Sequence, residues 1–208
     1  MSDFVVFITI GFFSGAIPWA LLIVRISRKI DVRSVGDGNP GTVNAWKSGG
    51  FIYGIVALVL EIGKAVLPVY VAFSYIDQAS GITSQIGFSL IAISPVAGHA
   101  WSPFLKFKGG KALAVTWGSW IAITGFLALP VGCVVLGLMH LVQKNHAITV
   151  TSCVVAFLFV FLPMQTELYI GLFWIMNICI IVFKHISEYS DGFILRKSIR
   201  GLRGNKID

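Results

Sequence analysis

Long runs of apolar residues make up most of this chain, and short polar, glycine-rich connections separate them. The runs are continuous and do not alternate with polar residues, which favours helices over the strands of a membrane barrel. The pattern therefore predicts an all-α integral membrane protein with seven transmembrane helices in a single domain, residues 1–208. The runs lie near residues 4–24, 51–74, 82–98, 112–128, 130–143, 147–163 and 168–183.

The boundary between the fourth and fifth runs is the least distinct. Pro130 and Gly132 lie within one apolar stretch there. They are compatible with a tight turn between two short helices or with a kink in one tilted helix.

The composition excludes a water-soluble domain of this size. Of 208 residues, 56% are hydrophobic and only 12% are charged, and the mean hydropathy is +0.86. Ordinary soluble domains have about a quarter charged residues.

The three cysteines lie inside apolar runs without C-x-x-C spacing, which argues against a disulfide framework and against a structural metal.

The basic residues predict the orientation in the membrane. With seven spans, fifteen of the sixteen lysines and arginines fall in the loops 25–50, 99–111 and 144–146 or in the tail after residue 183. By the positive-inside rule these segments face the cytoplasm, so the N-terminus lies outside and the C-terminus is cytoplasmic. Insertion into a bacterial-type plasma membrane therefore accounts for the net charge of +7 without nucleic-acid binding.

The first predicted cytoplasmic loop carries three glycines within six residues, Gly36, Gly38 and Gly41. Glycines at this spacing let successive backbone N–H groups turn inward to form an anion-binding concavity. The alternative is a flexible loop whose basic residues touch anionic headgroups. The flanking side chains suited to grip phosphate oxygens are Arg33, Asn44 and Lys47.

A second candidate phosphate site lies just before the fourth run. Lys108 and Lys111 bracket Gly109 and Gly110, and the N-terminal dipole of the following helix favours an anion there. A basic anchor for membrane insertion is the alternative, which explains the lysines but not the paired glycines. Two such loops on one face predict a phosphorylated ligand held between them.

Four ionisable residues lie in apolar runs or at their ends. Glu61 and Lys64 are three residues apart on one helical face. Ionisable groups at membrane depth indicate either a function or a mutually neutralising structural pair. His99 and His185 lie at predicted cytoplasmic span ends, where they would accept protons or simply make interfacial hydrogen bonds.

Four motifs occur in order along the seven-span frame. They are Gly15–Pro18 with Asp31–Asn44, Glu61–Lys64 followed by Pro68, Gly98–His99 with Phe107–Lys111, and Lys184–His185. Together they resemble the motifs of the acyl-phosphate:glycerol-3-phosphate acyltransferase family of bacterial membranes (PlsY type). The resemblance covers most of the chain, and its most specific part is the third motif.

The resemblance implies a seven-helix enzyme with a cytoplasm-facing pocket. Such an enzyme transfers a fatty acyl group from acyl phosphate to the 1-hydroxyl group of glycerol 3-phosphate, giving lysophosphatidate and phosphate. It needs no acyl-CoA, metal ion or organic cofactor, and its partners are the two substrates and the lipid bilayer. The candidate catalytic residues are His99, Lys111 and His185. The candidate substrate-binding residues are Arg33, Gly36, Asp37, Gly38, Asn39, Gly41, Asn44, Lys47, Lys64, Lys108, Gly109, Gly110, Lys184 and Glu188.

Several residues depart from the family pattern. Asp37 stands where the family has serine, Lys47 where it has arginine, and Ala112 where it has glycine. After the last motif, where the family continues with Asn-x-Asn-Arg-like residues, this chain has Glu188, Ser190 and Asp191. Carboxylates in a pocket for dianions repel by roughly 1 kcal/mol per close pair in water-like surroundings. These acids therefore predict either side chains turned away from the pocket or an acceptor other than glycerol 3-phosphate.

Two other functions stay open at the level of sequence. A divergent relative would keep the acyl-phosphate site and acylate another acceptor, one with a cationic group that Asp37, Glu188 or Asp191 pairs. A non-enzymatic transporter or lipid-binding scaffold with a decayed site is the other alternative. The short chain and the lack of an internal repeat disfavour it.

Overall fold

The computed structural model describes residues 1–77, 81–164 and 167–196, and in these ranges the regular structure is helical. This confirms the predicted all-α architecture. The part of the predicted basic tail that follows residue 196 lies outside the described residues. The α-helices of the described ranges are α1 (Ser2–Ala16), α2 (Trp19–Arg28), α3 (Thr42–Gly49), α4 (Phe51–Tyr75), α5 (Ile82–Ala100), α6 (Leu113–Thr124), α7 (Ala128–Val142), α8 (His146–Phe161) and α9 (Leu168–Lys184).

Four stretches of the described chain are long and apolar enough to cross a membrane. They are Ser2–Arg28, Phe51–Tyr75, Ile82–Leu105 and Leu113–Val142. Helices α8 and α9 are apolar but shorter, with 16 and 17 residues. The chain therefore has the helical membrane architecture expected from its composition, while the count of seven spans and the orientation of the termini remain predictions.

Helices α6 and α7 form a hairpin rather than one kinked helix. Gly125 has a left-handed backbone φ of +72° and begins a 3-10 turn, Gly125–Leu127. Gly132 packs on the Trp117 indole so closely that a Cβ atom built there would lie 2.8 Å from the ring. In a straight helix these two residues would be about 22 Å apart, so α7 folds back along α6. Pro130 lies in the first turn of α7, where a missing N–H costs little.

A break at Pro18 separates α1 from α2 and turns backbone groups toward the interior. Proline has no N–H, so the helical hydrogen bonding stops there. The Ser102 hydroxyl donates to the Ala16 carbonyl at 2.6 Å, and the Lys64 ammonium donates to the Ile17 carbonyl at 2.7 Å. The break therefore gathers polar groups of α4 and of the loop after α5 at one point in an apolar fold.

Helices α1 and α5 approach each other at backbone distance. A side chain at Gly15 would overlap the backbone of Pro95 in α5, and one at Gly98 would overlap the backbone of Phe12 in α1. Small residues at such crossings are typical of helix packing in membranes. The close contact fixes the C-terminal end of α5, which carries His99.

An aromatic cluster joins α6, α8 and α9. Trp120 packs on Phe157, Phe161 and Phe173 with ring centroids 5.0–5.5 Å apart. Its indole N–H donates to Asn177 Oδ1 at 3.2 Å. In a lipid solvent, close packing and interhelical hydrogen bonds of this kind hold helices together, so this cluster keeps α6 in place beside the site described next.

Candidate functional site

A cavity of about 650 Å³ lies where the first loop, α4, α6, the α7–α8 junction and the segment after α9 meet. Leu58, Leu113, Trp117 and Leu136 form its apolar wall. The polar residues that line it are Asp37, Asn39, Thr42, Asn44, Lys47, Glu61, His99, Lys111, Lys144, Asn145, His146, Glu188 and Asp191. The cavity therefore suits a ligand with a charged head and an apolar tail.

The first loop already holds an anion, the carboxylate of its own Asp37. Gly36 and Gly38 have φ values of +63° and +74°, and these left-handed positions turn the loop. The Asn39 N–H donates to Asp37 Oδ1 at 3.2 Å, and Asn44 Nδ2 donates to the same oxygen at 2.9 Å. The concavity predicted to hold phosphate is thus partly filled from within the chain.

Lys111 joins the two predicted phosphate loops. Its ammonium lies 2.5 Å from Asp37 Oδ2 and also contacts Glu188. Burial raises the pKa of Asp37, but hydrogen bonds from Lys111, the Asn39 N–H and the Asn44 amide outweigh it and lower that pKa to about 2. Burial lowers the pKa of Lys111, and the two carboxylates more than offset it, so this pKa is raised from its ordinary 10.5. Asp37 and Lys111 are therefore both charged at neutral pH.

The paired glycines let the second loop pack directly on His99. The Gly110 N–H donates to the His99 carbonyl at 3.1 Å, and a Cβ atom at Gly110 would overlap His99 Nε2. Lys184 holds the same loop from the end of α9, because its ammonium donates to the Ala100 and Gly109 carbonyls at 2.9 and 3.2 Å. A basic anchor for membrane insertion would not explain why two glycines stand together here, whereas the close packing of this loop on His99 does.

Glu61, Lys64 and His99 form a polar cluster whose side chains are at most 8% exposed. Lys64 Nζ lies 2.6 Å and His99 Nδ1 lies 3.1 Å from Glu61 Oε2. Glu61 Oε1 accepts the Ala20 N–H at 3.2 Å. His99 Nδ1 also lies 3.0 Å from Lys64 Nζ, and in the neutral tautomer whose Nδ1–H donates to Glu61, the Nε2 lone pair is directed at Gly110. That nitrogen is suited to accept a proton at the cavity wall.

The predicted site residues fall into two groups. Those that line the cavity are Asp37, Asn39, Gly41, Asn44, Lys47, His99, Lys111 and Glu188. Those that lie outside its lining are Arg33, Gly36, Gly38, Lys64, Lys108, Gly109, Gly110, Lys184 and His185. Arg33 forms an ion pair with Asp31 at 2.6 Å, and Lys108 is exposed. The roles assigned to all of these residues remain predictions.

His185 lies close to the cavity but does not line it. It is fully buried, and its Nδ1 is hydrogen-bonded to the Ile181 carbonyl at 2.8 Å. Its ring centroid is 5.7 Å from that of His146, which does line the cavity. His185 is therefore next to a residue of the cavity wall but does not line the cavity itself.

Sequence reasoning missed the junction between α7 and α8. Lys144, Asn145 and His146 line the cavity, and the only available signal was the placement of this short loop on the same side as the two glycine loops. Lys47 and Lys144 have no carboxylate partner among the residues that the structure describes. They are therefore the cavity lysines whose charge is not neutralised locally.

The fold and the cavity define an integral membrane protein with an amphipathic site that carries lysines. Residues 5–192 match the family model described as glycerol-3-phosphate acyltransferase. The chain belongs to this glycerol-3-phosphate acyltransferase family, which confirms the resemblance seen in the motifs.

Individual relatives agree with the family assignment. Glycerol-3-phosphate acyltransferase 1 of Thermotoga maritima is 43% identical over 117 residues, which is 56% of each chain. The glycerol-3-phosphate acyltransferase of Thermosipho melanesiensis is 31% identical over 182 residues, 87% of this chain and 83% of the relative. The chain spans just over half the length of the first curated relatives that it matches.

A solved structure has the same fold. The crystal structure of PlsY, an integral membrane glycerol 3-phosphate acyltransferase, in its glycerol 3-phosphate form, superposes with a TM-score of 0.76. The match covers all of this chain and 95% of that chain at 23% identity. At this level of identity, the likeness establishes the fold.

Proposed function

We propose that this protein is a membrane acyltransferase that transfers a fatty acyl group from acyl phosphate to glycerol 3-phosphate, giving lysophosphatidate and phosphate for phospholipid synthesis. The whole chain, residues 1–208, would form one domain for this reaction. The observation that carries the proposal is the amphipathic cavity in which Lys111 joins the two glycine loops. Family membership supports the reaction class.

The two ends of the cavity match the two parts of an acyl phosphate. Lys47, Lys111 and Lys144 line the polar end, where their charges favour phosphate oxygens. Leu58 and Trp117 belong to the apolar wall, where a fatty acyl chain is well accommodated. Both substrates of the proposed reaction carry phosphate, which gives the three lysines two anions to bind.

The chemical step needs a hydroxyl oxygen at the acyl carbonyl carbon and an acceptor for its proton. In the proposed step, the 1-hydroxyl oxygen of glycerol 3-phosphate bonds to that carbon, and the bond between the carbon and the phosphate oxygen breaks. The hydroxyl proton passes to His99 Nε2, which Glu61 orients, while phosphate leaves with the electron pair beside Lys111. Holding both substrates in one cavity supplies the proximity, and His185 is the alternative proton acceptor.

We further propose seven membrane crossings, in which the α1–α2 pair and the helices α4 to α9 each cross once. The hairpin of α6 and α7 supports this count. The cavity lysines and the basic loops support a site that faces the cytoplasm of a bacterial-type plasma membrane, with the N-terminus outside. Cysteines introduced at Lys106 and Glu167 in a cysteine-free variant should then react with an impermeant reagent from opposite sides of sealed vesicles.

A direct assay tests the proposed reaction. Purified protein given palmitoyl phosphate and labelled glycerol 3-phosphate should form lysophosphatidate and phosphate in equal amounts. Lys111→Ala should lower kcat/KM at least about a hundredfold, the usual effect of removing one group that stabilises developing charge. Lys106→Ala is the matched control, because Lys106 is exposed in the same loop and lies outside the cavity lining. Absence of phosphate release with any acceptor would reject an enzyme and favour a transporter or scaffold.

A different acceptor is the second candidate function, and one observation favours it. Asp37 and Glu188 both contact Lys111, so two carboxylates surround an ammonium that would otherwise bind phosphate. An acceptor alcohol with its own ammonium group would be attracted to these carboxylates. In that case an amino alcohol, and not glycerol 3-phosphate, would stimulate the consumption of acyl phosphate. The double variant Asp37→Ser, Glu188→Asn should then shift the preference toward glycerol 3-phosphate.

A further inference from the structure

A short segment after α9 forms one wall of the cavity. We call residues 186–196 the strap. It makes a 3-10 turn and then runs back along the end of α7, where Leu195 forms an isolated antiparallel β-bridge with Gln143. The strap residues that line the cavity are Glu188, Asp191 and Ile194. The position of the strap therefore decides which acidic groups face a ligand.

The side chain of Asn145 binds the backbone of the strap. The side-chain amide Nδ2 of Asn145 donates to the Glu188 carbonyl at 2.7 Å and to the Gly192 carbonyl at 3.0 Å. Backbone hydrogen bonds to the end of α7 continue this pairing toward residue 196. Together with a contact between the Tyr189 and Thr151 hydroxyls, this amide group holds the stretch of backbone from which the Glu188 carboxylate reaches Lys111.

The remaining polar atoms of Asn145 are also engaged, so its amide has no freedom to turn away. Its Oδ1 accepts the Ile148 N–H at 3.2 Å and caps α8. Gln143, which is fully buried, accepts the Asn145 N–H at 2.6 Å and donates to the Asn145 carbonyl at 2.7 Å. Asn145 itself is 5% exposed. A buried network with all of its partners in place is rigid.

We propose that Asn145 is a positioning residue that acts through Glu188. It sets the strap so that the Glu188 carboxylate stays against Lys111 and limits the positive charge that Lys111 presents to a phosphorylated acceptor. This inference rests on the proposed function, because it concerns the affinity of the same cavity for glycerol 3-phosphate. Without Asn145, the strap and its carboxylate move away from Lys111. The ammonium then attracts the acceptor more strongly but is held less firmly in place.

The variant Asn145→Ser tests the inference, since serine keeps the cap of α8 but is too short to reach the strap. Its KM for glycerol 3-phosphate should fall about fivefold, the effect of removing one close like charge in water-like surroundings. Its kcat should fall about tenfold, because Lys111 loses its fixed position. Glu188→Gln should lower the KM by the same factor. The double variant should have a KM no lower than either single variant, because both changes act on one contact.

A second measurement is independent of turnover. Hydrogen–deuterium exchange of the strap should increase in Asn145→Ser and stay unchanged in Glu188→Gln. The control is Asn177→Ala, which removes a buried amide from the hydrogen bonds between α6 and α9. It should lower the melting temperature without lowering the KM. If Asn145→Ser does not fold, Asn145→Thr keeps a capping oxygen and still removes both donors to the strap without adding a charge.

Three results would overturn the inference: unchanged exchange in the strap, a KM that rises or stays constant, or additive effects of Asn145→Ser and Glu188→Gln. Failure of the proposed function looks different. Wild-type protein would then bind no glycerol 3-phosphate in calorimetry, and the strap would still exchange faster in Asn145→Ser. That outcome would reject both the proposed reaction and the effect of Asn145 on the binding of glycerol 3-phosphate. Only the anchoring of the strap by Asn145 would then stand.

Discussion

Lys111 Nζ lies 2.5 Å from Oδ2 of Asp37, the residue at which the motif resemblance leads us to expect serine. Glu188, the second acidic departure from the expected motifs, contacts the same ammonium. The side chains of Lys111 and Asp37 are 22% and 50% exposed, so this ion pair contributes little to stability. The two departures therefore act on one lysine, and their main effect is on the charge that it presents to a ligand.

Replacing Asp37 with serine should strengthen the binding of glycerol 3-phosphate. Asp37→Ser removes a carboxylate from the cavity and frees the Asn39 N–H for a phosphate oxygen, so the KM should fall about fivefold in steady-state assays. Asp31→Ser is the matched control, because Asp31 pairs with Arg33 in the same loop but outside the cavity lining. A KM that rises, or falls equally in both variants, would contradict this account.

A methyl group at Gly110 should disable the site without unfolding the protein. The added Cβ atom would overlap His99 Nε2 and lie 3.2 Å from Asn39 Oδ1, so His99 or the loop must shift. We expect kcat to fall about a hundredfold, as small displacements of reacting groups can cause. Gly63→Ala provides the comparison, because among the described residues no heavy atom outside its own stretch of helix lies within 4 Å of a Cβ atom there.

The Gly63→Ala control should keep full activity. Gly63 lies inside α4, where alanine is favoured over glycine by roughly 0.5–1 kcal/mol, so its melting temperature should not decrease. If Gly110→Ala keeps wild-type kcat, close packing on His99 has no part in the reaction.

Removing Glu61 should cost both stability and activity. Glu61→Leu leaves the Lys64 ammonium and the Ala20 N–H without their carboxylate, and breaking a buried ion pair in this way costs about 3–5 kcal/mol. Adding Lys64→Met should restore much of the melting temperature, because no uncompensated charge then remains. The kcat should stay low in the double variant, since His99 has lost the group that orients it. Recovery of kcat together with stability would show that Glu61 has a structural role alone.

The ion pair of Asp37 and Lys111 should be insensitive to pH near neutrality. The pKa of Asp37 is lowered from 3.8 to about 2, so its contribution to stability is complete above pH 3.8 and is lost as the pH falls toward 2. The pKa of Lys111 is raised from 10.5, so its contribution is complete below pH 10.5 and is lost as the pH rises beyond that value.

The pH–rate profile checks this conclusion. Neither Asp37 nor Lys111 changes charge between about pH 5 and 9, so Asp37→Asn should keep the inflections of the wild-type kcat/KM profile in that range. An inflection near neutral pH that disappears in Asp37→Asn would show that Asp37 itself titrates there.

The helices and the meeting of the two glycine loops were predictable from the sequence, because both depend on continuous patterns. In hydrocarbon a long apolar run has to form a helix, and the run predicted at 51–74 corresponds to α4, Phe51–Tyr75. The turn at Gly125 was not predicted, because Thr124 and Gly125 interrupt the apolar run too briefly to be distinguished from the interior of a helix. The prediction placed it inside the run 112–128.

The finer features of the site depend on distances between residues that are far apart in the chain. The Asp37 carboxylate enters its own loop because Asn44 and Lys111 meet it there, and the spacing of the glycines alone indicates only that some anion fits. Asn145 was not predicted for the same reason. Its partners, Glu188 and Gly192, are more than forty residues away in sequence.

The hairpin of α6 and α7 has a consequence for the surrounding lipid. The twelve residues of α6 rise only about 18 Å, whereas the hydrocarbon core of a bilayer is about 30 Å thick. In the proposed seven-span arrangement, lipids next to α6 have to shorten or tilt to match it. Because Leu113 and Trp117 of this helix line the cavity, the single-chain product of the proposed reaction would then leave beside a thinned patch of bilayer. Vesicles made of shorter-chain lipids should therefore speed its release.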